Sequence, residues 1–498
     1  MNVMMLLEMA TEGFGDRVAF TNGEDSLTYQ ELFDAAGVAA GAIRKSGCDH
    51  VAMLDVSSLA LPVGLFASAW SGAPYVPINY RLTQSEINAL LARVTPAYLV
   101  AGDDQAAVVD ASDLIQLVAR DAFLKVARTP GEPAEPWSMD QDDVAVLLFT
   151  SGTTGTPKGA VLRQKHLVSY ILGSVEFMSA AEEDAALVCV PPYHIAGISA
   201  VLSSVYSGRR VVQLPSFTAE AWIDLARREK VTNAFVVPTM LARIVDELEG
   251  AETADMPHLR AISYGGGKMP LSVIERAMKL FPNTDFTNAY GLTETSSTIS
   301  IFGPEDHRTA AASSDEAVRR RLVSVGQAMP SVEVEIRGED GERLGPNERG
   351  EIYVRGEQVS GEYAGRGSSL DTDGWFPTRD AGSMDAEGYL FLEGRADDVI
   401  VRGGENMSPG EIEDVLLEHP AVADAAVVGI PDEQWGEGVA AAVVLKSGQS
   451  VAVEDLQEWV RKHMRSSRIP QVISFRDELP YNETGKLLRR VVKRELSS

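Results

Sequence analysis

Short apolar runs that alternate with helix-patterned stretches restrict the architecture of this chain more than any other feature. The runs at residues 51–54, 144–149, 187–190, 234–237 and 261–264 each suit one buried strand and are too short for an ordinary helix. Between them lie helix starts marked by capping boxes, Thr28 with Glu31 ahead of LFDAAGVAAGAI and Thr83 with Glu86 ahead of INALLARV. This rhythm predicts α/β layers with strands covered on both faces.

Further along, the texture changes. Residues 303–321 (GPEDHRTAAASSDEAVRRR) lose the apolar period and are expected to form an exposed connection. Residues 332–336 then alternate, residues 338–341 supply turn chemistry and residues 350–354 supply a return strand, so a small β-rich region is expected. A boundary is expected near residues 394–398, after which a fresh α/β pattern begins. There Ser408 is expected to cap a helix, with Pro409 at its first position and Glu411 closing a capping box, and Ile412, Val415 and Leu416 form one apolar face. The expected fold class is α/β. A large N-terminal domain, residues 1–396, contains layered α/β subdomains and the small β-rich region, and a small α+β C-terminal domain spans residues 397–498.

Composition excludes several functions. A formal net charge of -28 repels nucleic acid and anionic membrane. Cys48 and Cys189 are too few and too far apart for a disulfide framework or a zinc site, which favours a reduced cytoplasmic setting. The amino terminus has no basic residue before Arg17 and so lacks the charged start of a secretory signal. Residues 185–208 carry no Asp, Glu, Lys or Arg, yet Pro191, Pro192 and His194 within them predict a buried strand, a loop and a core helix rather than a membrane span. A homodimer is the default closed assembly.

The strongest chemical signal is LLFTSGTTGTPKG, residues 147–159. A buried strand runs into Thr150, Ser151, Gly152, Thr153, Thr154 and Gly155, followed by Lys158. Glycines let a backbone approach phosphate closely, hydroxyls add donors and the lysine adds charge. Pro157 precedes the lysine and Gly159 stands where a Walker A loop requires Ser or Thr, so the loop is of another kind. Other residues have chemistry a nucleotide could use, although taken singly the Tyr reads as an ordinary strand end and the Glu as a solvated surface carboxylate. Tyr290 offers a flat ring and Asn288 a donor and acceptor; Glu294 is a hard oxygen ligand suited to Mg²⁺; Asp380 offers two acceptors to paired hydroxyls, with Arg395 adding donors.

With the loop stand PPYHIAG (residues 191–197), YGGG (264–267), NAYGLTE (288–294), GWFPTRDAG (374–382), GRADDVIVRGGENMSPGEIE (394–413) and PYNETGK (480–486). In this order they resemble the adenylate-forming superfamily, which includes acyl-CoA synthetases, peptide-synthetase adenylation domains and firefly luciferases. The resemblance extends nearly end to end. It implies an AMP-forming acyl-CoA synthetase that uses ATP, Mg²⁺ and coenzyme A to make an acyl-adenylate and then a thioester. It implies that Lys486, Glu294 and His194 act in catalysis, with Glu294 on the metal, and that Gly266, Gly267, Asn288, Ala289, Tyr290, Gly291, Thr293, Asp380 and Arg395 join the 150–158 loop around ATP. Tyr193, His194, Ile198, Val237, Thr239, Tyr264, Gly265 and Thr298 fall at acyl-pocket positions. Arg402, Gly403 and Gly404 fall at a pantetheine tunnel, and Asp397 at a hinge about which the mobile C-terminal domain swings. The histidine at 194, where peptide-synthetase domains generally carry Asp, disfavours an amino-acid substrate, because a neutral imidazole supplies no counter-charge to an ammonium.

One departure stands out. The family usually places Gly before the carboxylate at 380, and this chain places Arg379 there. Residues 436–441 match a dinucleotide fingerprint, which is rejected on the expectation that no strand precedes it and no helix opens from it. The chain holds no Gly-x-Ser-x-Gly elbow or His-Glu-x-x-His pair, and Cys189 within LVCVPP reads as a buried small hydrophobe. The alternatives left open are a carrier-protein phosphopantetheine as acceptor, a luciferase-like oxidative enzyme, and a non-catalytic nucleotide-binding relative.

Overall fold

All five apolar runs form strands in the computed structural model, which describes residues 1–131, 134–150, 157–402, 405–432, 434–482 and 487–497. The chain is mixed α/β and divides into two compact units. One comprises Met1–Gly265, Met269–Glu333 and Val354–Phe376, and the other Gly266–Lys268, Val334–Tyr353 and Pro377–Ser498.

The first unit contains two large sheets. In one, the strands Asn233–Val236, Ala261–Gly265 and Asp285–Leu292 are parallel neighbours, and Ser297–Phe302 returns antiparallel against the last of them. Parallel strands buried on both faces explain why the runs lack period-two alternation. In the second sheet His50–Leu54, Tyr75–Pro77 and Ala97–Ala101 are parallel, and Val144–Thr150 pairs antiparallel with Lys158–Arg163, Thr150 opposite Lys158. Both amino-terminal capping boxes form: Glu31 N–H donates to Thr28 Oγ1, and the backbone N–H groups of Thr28 and Thr83 donate to Glu31 and Glu86. Residues 185–208 resolve into the strand Ala185–Val188, a loop and the helix Ile195–Ser207, as expected. No helix among the described residues is long and apolar enough to cross a membrane.

The stretch at 303–321 departs from expectation. It holds two helices, Pro304–Ala312 and Glu316–Arg320. Pro304 at the first position and the Gly303 N–H donating to Asp306 start the first of them. Its buried side consists only of His307 and Ala310, too little apolar content to register as a period.

In the second unit, the predicted β-rich region is a four-stranded sheet of Glu333–Arg337, Gly350–Arg355, Phe376–Met384 and Leu390–Arg395. A further sheet is centred on the antiparallel pair Val422–Asp432 and Gly436–Leu445. Its faces are covered by Pro409–Leu417, Val453–His463 and Arg489–Leu496. The dinucleotide-like residues 436–441 therefore do follow a strand, contrary to expectation, but they begin its hairpin partner and open no helix. The helix Pro409–Leu417 starts where expected, without the expected capping box. Ser408 Oγ donates instead to Glu393 O at 2.7 Å, and Glu411 pairs with Arg468.

Candidate active site

In the first unit the predicted residues gather at the carboxyl ends of the parallel strands, where open α/β sheets bind ligands. Asn288, Ala289, Tyr290 and Gly291 lie on Asp285–Leu292, and Gly265 ends the strand beside it, opposite Ala289. The backbones come so close here that a Cβ on Gly265 would lie 2.1 Å from Ala289 O and one on Gly291 1.6 Å from Ser297 O, so no side chain fits either position. Asn288 and Tyr290 share one face of the strand and are buried. One amide hydrogen of Asn288 is committed to Ser324 O at 2.9 Å, a tether the sequence did not reveal.

Thr293 and Glu294 lie in a single 3₁₀ turn, Thr293–Thr295, followed by Ser296 and Ser297 at φ of 57° and 109°. Two successive left-handed non-glycine residues cost energy and persist only where surroundings over-determine them. Thr295 Oγ1 is within donating distance of Leu292 O and Ser297 O, on either side of the turn, and Gln358 Nε2 donates to Thr295 O at 3.0 Å and Thr298 O at 2.7 Å. Ser360 N–H donates to Glu294 O at 2.8 Å.

Glu294 is only 9% exposed. Its Oε1 accepts from Tyr363 Oη at 2.7 Å, and it forms no salt bridge among the described residues. Lys158 Nζ lies 5.6 Å from the centroid of the same tyrosine ring. The fully buried Gln358 and the half-buried Tyr363 were not singled out from the sequence. Their local signal is slight, because Glu362–Tyr363 is only a two-residue strand; its pairing with Lys158–Arg163 joins positions far apart in the chain. Residues 151–156, hence Ser151, Gly152, Thr153, Thr154 and Gly155, lie outside the described residues, and so do Gly403, Gly404 and Lys486.

The acyl-pocket positions divide. Tyr193, Ile198, Val237 and Thr298 are buried and Thr239 is half-buried in the first turn of Pro238–Glu247. Tyr193 packs edge-on against Tyr80 and against the ring of His194, which is the N-cap of Ile195–Ser207. Burial, reinforced by the nearby charge of Arg81, pushes the His194 pKa down to about 4, so its imidazole is neutral. Tyr264 is fully buried, with its hydroxyl 2.9 Å from His307 Nε2 while His307 Nδ1 lies 2.8 Å from Gly303 O. An apolar cavity of about 30 Å³ abuts the same helix. Of the predicted pocket residues, only Ile198 lines it. Cys189 is buried as expected, and burial raises its pKa to about 12, leaving no thiolate for nucleophilic work.

In the second unit Asp380 faces Arg395 across paired strands, with Arg395 Nη1 donating to Asp380 Oδ1 at 2.7 Å and to Thr378 O at 3.2 Å. Arg379 adopts φ of 63°, the conformation that the glycine usual at this position would take freely. Gly266 and Gly267 are exposed bends directly after Gly265. Arg402 Nη1 donates to Ser467 O at 2.7 Å, and Asp397 lies in the 3₁₀ turn Ala396–Asp398. Tyr481 and Leu487 form an isolated antiparallel bridge.

The buried carboxylate of Glu294, which forms no salt bridge among the described residues, fits a hard divalent metal, and the Asp380–Arg395 pair fits a sugar bearing adjacent hydroxyls. Comparison with known proteins identifies the family. The AMP-binding enzyme profile matches residues 7–364, and that of the AMP-binding enzyme C-terminal domain matches residues 411–486. A fatty acid--[acyl-carrier-protein] ligase, ScoC, of Streptomyces coeruleorubidus is 33% identical over 94% of this chain and 91% of its own length. A feruloyl-CoA synthase of an Amycolatopsis species is 32% identical over 96% and 95%. Among solved structures, o-succinylbenzoate CoA synthetase (MenE) of Bacillus subtilis, in complex with the acyl-adenylate intermediate OSB-AMP, superposes with a TM-score of 0.84 at 29% identity, covering 98% of this chain and 97% of that one. Motif order, donor geometry and these end-to-end matches together make this chain a member of the AMP-binding enzyme family.

Proposed function

We propose that the protein is an ATP-dependent carboxylic acid:CoA ligase that forms an acyl-adenylate and converts it to an acyl-CoA. The observation that carries this reading is the buried Glu294 carboxylate, oriented by Tyr363 beside Lys158, at the carboxyl ends of the parallel strands. The oxygen of the substrate carboxylate attacks the α-phosphorus of ATP and pyrophosphate departs; the sulfur of CoA then attacks the acyl carbon and AMP departs.

Glu294 would hold magnesium, and the ion would add positive charge toward the phosphates. Lys158 and the hydroxyl-rich segment 150–155 bind phosphate oxygens. Tyr290 and Asn288 flank the base, and Asp380 with Arg395 takes the ribose. Lys486 lowers the repulsion between the two anionic reactants and stabilises the transition state. His194, already neutral, shapes the path of the carboxylate and serves as no base, since a carboxylic acid is ionised at neutral pH. The part of the chain after residue 396 acts as a mobile lid about Asp397, and Arg402, Gly403 and Gly404 line the thiol's approach. The apolar, uncharged character of Tyr193, Ile198, Val237 and Thr298 suits an aliphatic, aromatic or alicyclic acid. An unpaired Cys48 and Cys189 fit a reducing, cytoplasmic setting.

The likeness to ScoC favours a second reading, in which the acceptor is a carrier-protein phosphopantetheine. A panel of carboxylic acids with ATP and magnesium, with CoA and a phosphopantetheinylated carrier protein added separately, tests both. Pyrophosphate release and an acyl-CoA product are expected; acyl transfer to the carrier alone selects the second reading, and absence of pyrophosphate with every acid overturns both.

A further inference from the structure

The strained backbone at Arg379 has a visible support. Left-handed φ at a residue with a Cβ is disfavoured by roughly 1–2 kcal/mol, which is why glycine is the ordinary occupant of such a position. Here Glu351 Oε1 accepts the Arg379 backbone N–H at 3.1 Å and lies 3.9 Å from its Nε, so one carboxylate holds both the backbone and the side chain. The flanking residues are tied to the same strand, Gly350–Arg355. Thr378 Oγ1 donates to Ile352 O at 2.8 Å and accepts from the Asp380 N–H at 3.1 Å. The backbone at 378–380, within the strand Phe376–Met384, is thus set by two successive residues of its neighbour, and it delivers Asp380 to Arg395.

We propose that Glu351 is a positioning residue for ribose recognition: by holding Arg379 in the left-handed conformation it fixes the direction of the Asp380 carboxylate, a task that glycine at 379 would make unnecessary. This rests on the reading that Asp380 takes the ribose hydroxyls. It predicts a dependence on Glu351 that exists only because residue 379 is arginine. A residue that merely stabilised the sheet would be needed whatever occupied 379.

The test uses the full chain in ATP–pyrophosphate exchange, with ATP and 2′-deoxy-ATP. Glu351→Ala should raise the KM for ATP about 5- to 30-fold, the equivalent of releasing strain of that size, with kcat within about twofold, because a ground-state contact is lost. Its preference for ATP over 2′-deoxy-ATP should narrow. Glu351→Gln, which keeps an acceptor for the Arg379 N–H, should lie near the parent. The double variant Glu351→Ala with Arg379→Gly should recover both the KM and the preference. A double variant no better than Glu351→Ala overturns the proposal, as does an unchanged KM in Glu351→Ala while Asp380→Ala raises it. If Asp380→Ala itself leaves the KM and the sugar preference unchanged, the ribose reading fails first and the proposal falls with it. Circular dichroism melts of each variant establish that the compared proteins are folded.

Discussion

Glu294 and Glu413 are the same residue type, buried to nearly the same degree at 9% and 7% exposure, and they are treated in opposite ways. Glu413 meets Arg489, whose Nη2 donates to both its carboxylate oxygens, and its Oε1 also accepts the Val427 N–H at 2.8 Å. Burial and charge are matched inside the protein, so that carboxylate is part of the architecture. Glu294 receives a neutral phenol at 2.7 Å and no salt bridge among the described residues. A buried anion without a cation is costly unless something else supplies the charge. Degree of burial therefore does not distinguish these two carboxylates; the charge of the partner does. Arg489, on the structural side of that comparison, is committed to Glu413.

The sharpest way to break the contrast is to exchange the consequences. Lys486→Ala should slow acyl-adenylate formation by about 10² to 10³, as for loss of a transition-state donor, while supplied acyl-adenylate still reacts with thiol; single-turnover assays of each half-reaction check this. Glu294→Gln should cost activity on a similar scale and move the magnesium titration to higher concentration, with its melting temperature equal to or above that of the parent, because an uncompensated buried charge is removed. Glu413→Gln should reverse that pattern and destabilise the fold by about 3–5 kcal/mol, seen in denaturant titration, with the folded fraction still making adenylate. If Glu413→Gln is as stable as the parent and inactive, the distinction between the two glutamates collapses. Tyr363→Phe removes a hydrogen bond to a charged group and should cost roughly tenfold in kcat/KM, without the thermal loss of Glu413→Gln.

Buried histidines give an effect that appears only as the pH falls. His166, His194 and His307 each have a pKa lowered from 6.5 to about 4, with burial as the largest cause. Between those values the unfolded chain binds protons that the folded chain refuses, so stability should fall as pH drops from about 6.5 toward 4, and these groups should leave it flat above pH 7. Melting temperatures across that range check the sign, and His307→Gln should shallow the slope.

Local chemistry was legible wherever the determining residues are neighbours in the chain. The apolar runs became strands because a buried strand needs only a few consecutive apolar side chains, and both amino-terminal capping boxes formed because their partners stand three residues apart. The same local logic failed at Ser408, where Glu393 O, fifteen residues away, competes for the hydroxyl, and at 303–321, where His307 is buried through a bond to Tyr264 rather than through an apolar stripe. At Arg379 the sequence marked the departure from glycine, and the structure supplied its remedy in Glu351.

The sequence by itself determined the order of the motifs, the α/β class and the inventory of donors able to hold a nucleotide. Which of those donors face a cation, a phenol or another strand was decided only in three dimensions. Tyr363 reaches Glu294 across 69 residues, Arg489 reaches Glu413 across 76, and Tyr264 reaches His307 across 43. Periodicity and capping act over a few residues, whereas these pairs depend on which strands become neighbours and in what register, a property of the folded sheets that no local window contains.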